Sequence, residues 1–384
     1  MSKIRIALPH DLFAVRQIWN VCFDDEKEFV DWFFTERYEP QNTLVYHAGK
    51  SIVSAMQVFP RDLIIRGKKL HCGFVVGVST MPEFRGRGFA TDLMLTSFGM
   101  MYESGVHIAY LYPEAYELYR KTGWEVCSDT QNYQIYSNQI RKDTRAEKFD
   151  VASQVKDLND LNRVYETFIT GRSCCFQRSE KDWSCKLQEL AITPGGGLML
   201  IHKRHQPVAY AFYTVDMGVM QVSELVYVDE SAMYDLLCAL SAHHGGKMQF
   251  YMPTDSELYT FLPDGRGCVN TEPYGMGRII NLKTAVEGTA CCADATSVRV
   301  RIIDEQIEQN DDIFEFINQD GEIVVSRAHY ADIQMNIQGF TSLYCGLTRA
   351  RSLKGMGLLE SSHESAQKLD QFFPKQQCYS IEKY

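Results

Sequence analysis

The sequence predicts a mixed α+β and α/β fold in three domains, the first two built on one architecture. Three observations predict it. At 384 residues the chain is longer than one hydrophobic core usually serves. One order of strands and helices runs through residues 1–145 and again through 146–285. From about Val286 the pattern changes to an α+β unit that fills residues 286–384.

The first segment opens with a strand at Lys3 to Ala7. A helix follows in which Leu12, Val15, Ile18, Trp19 and Cys22 fall on one face, and a second helix spans Glu26 to Glu36. Strand-like runs at Thr43 to His47, Ser51 to Phe59, Asp62 to Arg66 and Leu70 to Thr80 are separated by turns, which reads as an antiparallel meander. After a glycine-rich turn, Phe89 to Glu103 forms a helix with Ala90, Leu93, Met94, Ser97 and Met101 on its inner face. The buried strand Val106 to Tyr112 then runs parallel to Leu70 to Thr80, as a strand-helix-strand crossover demands. A short helix near Glu114 to Lys121 leads into strands around Trp124 to Tyr136.

Ser137 to Lys148 is polar and reads as a linker. Beyond it, helix Asp157 to Phe168, a hairpin of Leu198 to His202 with Val208 to Val215, strand Met220 to Val228, helix Ser231 to His243 and strand Lys247 to Met252 repeat the earlier order without repeating its residues. In the last segment, strands Ser297 to Ile303 and Ile313 to Ile317 precede an Asp320-Gly321 hairpin into Glu322 to Ser326. Helices are expected at Asp332 to Gly339 and Glu364 to Phe373.

Composition narrows the function. With 45% hydrophobic and 12% aromatic residues against 23% charged, the chain is globular. A formal charge of -10, from 49 acidic and 39 basic residues, argues against a nucleic-acid partner and slightly favours cationic substrates, although solubility accounts for most of it. The twelve cysteines follow no framework spacing. Cys174-Cys175 and Cys291-Cys292 are adjacent pairs rather than Cys-x-x-Cys, so buried thiols are expected. His243-His244 and Asp255 lack ligand spacing, and no metal is predicted. The stretch Met1 to Leu12 carries early charges and no apolar run, so a cytoplasmic protein without a membrane partner is expected.

Chemistry concentrates at Arg85-Gly86-Arg87-Gly88-Phe89-Ala90-Thr91, directly after a strand and before a helix. Gly86 and Gly88 let consecutive backbone NH groups turn toward one pyrophosphate, the helix adds its positive N-terminal end, and Arg85 and Arg87 add charge. A dinucleotide loop would need a third small residue where Thr91 stands and an acidic residue about 20 positions on. A P-loop would need Gly-Lys-Ser/Thr after the glycines. The equivalent junction of the second segment is Asp229-Glu230, whose carboxylates repel a pyrophosphate, so only the first segment is expected to bind a phosphorylated cofactor.

The stretch Val78-Ser79-Thr80-Met81-Pro82-Glu83-Phe84-Arg85-Gly86-Arg87-Gly88 resembles the acetyl-CoA motif of GNAT acetyltransferases. Leu118-Tyr119-Arg120-Lys121-Thr122-Gly123-Trp124-Glu125 resembles the block that closes such domains, most closely in the Eis-like (enhanced intracellular survival) subgroup. That resemblance implies two tandem GNAT (acyl-CoA N-acyltransferase) folds followed by a sterol-carrier-protein-like domain. It covers the whole chain, although its sharp motifs lie in the first domain.

The resemblance also implies roles. Acetyl-CoA is the cosubstrate, held by backbone groups at Val78, Ser79 and Thr80 and by residues 85–91. Tyr119 is the general acid and the terminal carboxylate of Tyr384 the base. Asp25, Glu28 and Trp32, with Asp24 and Glu26 near them, lie where the family forms one wall of its amine pocket, although a solvated acidic helix face explains most of them as well. The acceptor is a primary amine of aminoglycoside, polyamine or lysine type, and a homo-oligomer is expected. The alternatives are a lipid-binding protein acting through its last domain and a CoA-binding regulator without turnover.

Overall fold

The computed structural model describes residues 3–140, 150–154 and 158–382. In chain order the first segment is β1 (Ile4–Ile6), α1 (Leu12–Cys22), α2 (Lys27–Trp32), β2 (Thr43–Ala48), β3 (Ser51–Ile65), β4 (Lys68–Thr80), α3 (Phe89–Glu103), β5 (Ile108–Leu111), α4 (Tyr116–Arg120) and β6 (Glu125–Val126). Helix α1 buries Val15, Ile18 and Trp19, which three- and four-residue spacing places on one stripe. The second helix is shorter than the sequence indicates: α2 passes at Phe33–Arg37 into a π turn that buries Phe33, Phe34 and Arg37. The strands expected at Ser51 to Phe59 and Asp62 to Arg66 are one. Pro60 does not break β3 because it lies opposite Gly73 of β4, while on the other edge the β2 pairing ends at Gln57.

The middle of the chain contributes β7 (Asp129–Tyr136), β8 (Asp150–Ala152), α5 (Leu158–Ile169), β9 (Arg172–Ser173), β10 (Cys175–Gln177), α6 (Glu180–Ile192), β11 (Gly196–Lys203), β12 (Gln206–Asp216), β13 (Val219–Tyr227), α7 (Glu230–His244), β14 (Lys247–Met252), α8 (Leu258–Phe261), β15 (Val269–Pro273) and β16 (Met276–Ile279). Helix α6 was not legible in the sequence, since only Trp183 and Cys185 of it are buried.

The first two units exchange strands. The first sheet has the order β1-β2-β3-β4-β5-β16-β6, with β10 also paired to β3, and the second has the order β15-β7-β14-β13-β12-β11-β8. Thus β7, from the first half, lies between β14 and β15, and β16, from the second half, lies between β5 and β6. The run from Trp124 to Tyr136 is therefore split between two sheets. In each sheet one parallel pair follows a crossover helix, β4 with β5 and β13 with β14.

The last segment comprises α9 (Leu282–Val286), β17 (Ser297–Ile303), β18 (Ile313–Gln319), β19 (Glu322–Arg327), β20 (Ile333–Asn336), α10 (Ile337–Cys345), α11 (Ala350–Gly355), β21 (Leu359–Ser361), α12 (His363–Phe372) and β22 (Gln377–Cys378). Its sheet has the order β19-β18-β17-β20-β21. The helix expected at Asp332 to Gly339 is instead strand β20 followed by α10, whose N-terminus is capped by Asn336 Oδ1 accepting from Gly339 N at 2.9 Å. Of the adjacent cysteine pairs, Cys174, Cys175 and Cys291 are buried as expected, but Cys292 is exposed. Among the described residues no helix is long and apolar enough to cross a membrane.

Candidate active site

The site begins with one extra residue in β4. Gln57 pairs with Val76 and Ala55 with Ser79, so Gly77 and Val78 face the single residue Met56. Gly77 adopts φ +60, and a Cβ there would lie 2.1 Å from Gln57 Oε1 and 2.5 Å from the Trp19 ring. Only glycine fits, and the resulting bulge bends the strand. The bend parts β4 from β5, whose pairing extends only from Cys72↔Ile108 to Phe74↔Tyr110.

Beyond the bulge the strand end is fixed by short polar contacts. Ser54 Oγ donates to Ser79 O at 2.7 Å and lies 2.8 Å from Thr80 Oγ1. Thr80 O accepts from Cys22 Sγ at 3.2 Å and from Arg85 Nε at 3.1 Å. Residues 82–84 make one 3-10 turn, and the chain passes through Gly86 at φ +74 and Gly88 at φ +82 into α3. A Cβ at either glycine would meet nothing within 4 Å, so here the requirement is conformational and the loop faces open space. Arg87 lies over the Phe84 ring at 5.2 Å, and Phe89 stacks on Tyr46 at 4.2 Å, which pins the first turn of the helix. Gly88 caps α3 with no side chain, which leaves its first NH groups and the positive end of the helix facing outward.

The corresponding helix of the second unit is closed. Asp229 Oδ1 accepts from Ala232 N at 2.8 Å and so occupies the end of α7 that would otherwise face a phosphate.

Tyr119 faces the first unit's loop from α4. A narrow cleft, about 220 Å³ together with open solvent, is lined by Val78 from the strand end, Ala90, Thr91 and Met94 from α3, and Leu118, Tyr119 and Thr122. Tyr119 is 8% exposed and packs edge-on against Trp124 with ring centroids 6.2 Å apart. Its carbonyl accepts from both the NH of Thr122 at 2.9 Å and Thr122 Oγ1 at 3.0 Å, which closes the short helix. Burial pushes the Tyr119 phenol up to about 12, and the Glu114 carboxylate adds to the shift. The phenol therefore stays protonated at any ordinary pH.

On the opposite face of β4 the acidic candidates divide. Asp25 is exposed and accepts from Trp19 Nε1 at 2.8 Å, and Glu28 is exposed on α2 beside Lys27. Trp32 is buried, and its Nε1 donates to Gln188 of α6 at 3.1 Å, so it joins the two units.

The tail returns between these units. β22 pairs in parallel with β9, Tyr379 N donates to Ser173 O at 3.0 Å, and Ser380 Oγ lies 2.5 Å from the hydroxyl of Tyr112, just past β5. Glu382, 1% exposed, accepts from Arg178 Nε at 2.9 Å and from Arg61 at 3.3 Å. Arg178 spends its other two nitrogens on Glu224 at 2.6 and 2.9 Å and lies over the Tyr165 ring at 4.0 Å, a use of the planar guanidinium that lysine could not reproduce. Burial opposes the charge on Glu382, but Arg178, Lys186 and Arg61 outweigh it and hold the carboxyl well below the usual range. Tyr384 lies outside the described residues.

Arg61, Arg178 and Glu382 belong to no local motif and were missed in the sequence. Glu224 was missed as well, because a register shift in β13 pairs it with Phe212 while Val222 pairs with Tyr213, which turns it to the face opposite Met220 and Val222. A wider cleft, of about 2300 Å³ together with open solvent, lies toward the other end of β3 and is lined in part by Arg61, Asp62, His71, Arg178 and Asp182. None of the seven residues lining the cleft at Tyr119 borders it.

Acetyltransferase (GNAT) domain models match residues 3–127 and 174–279, and a sterol carrier protein domain model matches residues 282–380. The chain belongs to the GNAT acetyltransferase family. Its overall fold is similar to that of a GCN5-related N-acetyltransferase from Anabaena variabilis, with a TM-score of 0.87 and 19% identity over 100% of both chains. A probable N-acyltransferase from Enterococcus faecalis gives a TM-score of 0.89 at 19% identity over 99% of each chain. Eis1 from Mycobacterium abscessus gives 0.81 at 17% identity over 100% of both. The GNAT chain thus carries the tandem plan with a carrier-type third domain, and its GNAT domains imply acetyl-CoA as cosubstrate.

Proposed function

We propose that this N-acetyltransferase moves the acetyl group of acetyl-CoA directly to a primary amine within one ternary complex. The observation that carries the proposal is the cleft at Val78, Ala90, Thr91 and Tyr119, where a parted strand, an uncapped helix start and a protonated phenol face one small volume. In this reading the NH groups of residues 85–91 hold the pyrophosphate. Backbone groups of residues 78–80 hold the pantetheine arm and the acetyl carbonyl. The amine nitrogen attacks that carbonyl, the C–S bond breaks, and the departing sulfur accepts a hydrogen bond from Tyr119.

At about 12 the phenol is a weaker acid than a thiol of reference pKa about 8.5, so stabilising the thiolate is its main contribution. The ammonium proton passes to the carboxylate of Tyr384, the role the family resemblance implies. The course of the tail supports that role: Ser380 Oγ lies 2.5 Å from the hydroxyl of Tyr112, just past β5 of the first sheet. Asp25 and Glu28 are proposed to attract the amine, which leaves Trp32 a structural part. Aminoglycosides, polyamines and lysine side chains are the acceptors to try.

The rival reading, lipid carriage by the third domain, is less favoured because stacked and edge-on rings of Phe316, Phe340, Tyr344 and Phe373 fill its interior. A thiol-release assay with acetyl-CoA across an amine panel tests the proposal, together with CoA affinity of Gly86→Ala/Gly88→Ala. Turnover with at least one amine, and CoA binding weakened about tenfold or more in the variant, is expected, since an alanine loop that relaxes out of the left-handed turns must regain them, at about 1–2 kcal/mol a residue, before its NH groups converge on the pyrophosphate. Unchanged affinity would remove the loop from the site.

A further inference from the structure

The four cysteines 127, 174, 345 and 378 are scattered in sequence and meet where all three domains touch. Cys127 follows β6, Cys174 lies between β9 and β10, Cys345 ends α10, and Cys378 ends β22. The sulfurs of Cys127, Cys174 and Cys345 all lie within 4.8 Å of one another, and all three residues are wholly buried. Cys378 adjoins them, with its thiol against that of Cys174 and 3.2 Å from the carbonyl of Cys345. We propose that Cys127, Cys174 and Cys345, with Cys378 at the fourth position, bind one Zn²⁺-type d¹⁰ cation that pins the two acetyltransferase domains to the carrier-type domain.

Three observations carry this. Four sulfurs around Zn²⁺ at about 2.3 Å stand about 3.8 Å apart, so those of Cys127, Cys174 and Cys345 need to close by an ångström or less, while Cys378, outside that 4.8 Å group, has to rotate farther to take the fourth position. Cys174 is held at φ +66, a left-handed conformation that costs a non-glycine residue about 1–2 kcal/mol. Its NH donates to Ile64 O at 2.8 Å, so the turn is fixed by the sheet and carries the sulfur into the cluster.

The third observation is a cation. The half-buried Arg66 guanidinium donates to Tyr344 O at 2.6 Å and Leu343 O at 3.0 Å, and the ionisable groups that act on it most are Tyr344 and the thiols of Cys174, Cys345 and Cys378. A cation drawn partly out of water with no anion beside it is costly. With Cys378 binding as a neutral thiol, three thiolates, one divalent cation and Arg66 sum to zero, which turns a cluster of thiols beside a cation into a neutral unit. Each thiol that binds as thiolate gives up its proton, so loading releases three protons per metal. The sequence shows no ligand spacing because every ligand comes from a different element.

The test uses the full untagged chain, produced with Zn²⁺ in the medium and purified without chelators. Elemental analysis is expected to find about one zinc per chain in the wild type and in Cys238→Ser, and about none in Cys174→Ser/Cys345→Ser. Protein produced with Co²⁺ instead is expected to show thiolate-to-cobalt charge-transfer absorption, which decides the matter should the double variant fail to fold. Wild-type protein free of zinc and lacking that absorption overturns the proposal. A disulfide between any two of the four does the same.

Discussion

Replacing Tyr119 with phenylalanine removes one oxygen from the cleft and little else. The ring keeps its edge-on contact with Trp124, and the helix closure runs through the backbone carbonyl, so stability should change by less than about 1 kcal/mol. CoA affinity should change little, because the pyrophosphate loop is built from residues 85–91. The chemical step should suffer. A hydrogen bond to a charged partner contributes about 1.5–3 kcal/mol, and one to charge developing in a dry site lies at the upper end, which corresponds to a loss of about 10²-fold in kcat.

The pH dependence follows from the same burial. With the phenol raised to about 12, Tyr119 is protonated throughout the working range and should contribute no falling limb to the rate profile below about pH 11. The folded state holds this proton more tightly than the unfolded chain does. Its contribution to stability is therefore complete below about pH 10 and is lost as the pH climbs toward 12. Single-turnover thiol release from pH 6 to 10, with CoA affinity measured in parallel, separates these quantities. A Tyr119→Phe enzyme within threefold of wild type, or one whose loss appears entirely in CoA affinity, would refute the assignment.

Three further substitutions probe the frame of the site. Gly77→Ala should cost about 2–5 kcal/mol, from a left-handed φ plus collision with the rigid Trp19 ring, whereas Gly88→Ala, whose Cβ meets nothing, should cost only about 1–2 kcal/mol; urea unfolding of both would expose an error if they matched. Glu382→Gln should destabilise the protein by about 3 kcal/mol at neutral pH by leaving Arg178 and Arg61 short of a carboxylate. Because the Glu382 carboxyl is held below its ordinary range, the stability it adds is full above about pH 4.5 and declines as the pH falls. Melting temperatures from pH 3 to 7 should therefore fall more steeply in wild type than in the variant, and parallel curves would contradict the network.

The sequence by itself determined what depends on neighbours along the chain. Helix α3 appears with the boundaries its periodicity gives, the Gly86 and Gly88 turn is written in residue type, and Asp229 declares the second helix end closed. These are short-range matters of backbone freedom, capping and charge. Whatever depends on which strands pair was decided by the tertiary structure alone. Nothing local in Asp129 to Tyr136 says that it leaves its own sheet, because a strand alternates alike in either sheet. Arg61, Arg178, Glu224 and Glu382 are single charges on four separate elements, and the four clustered cysteines are likewise dispersed. Such groups become a network only when long-range packing removes water from around all of them at once, and that desolvation leaves no periodic trace in the chain.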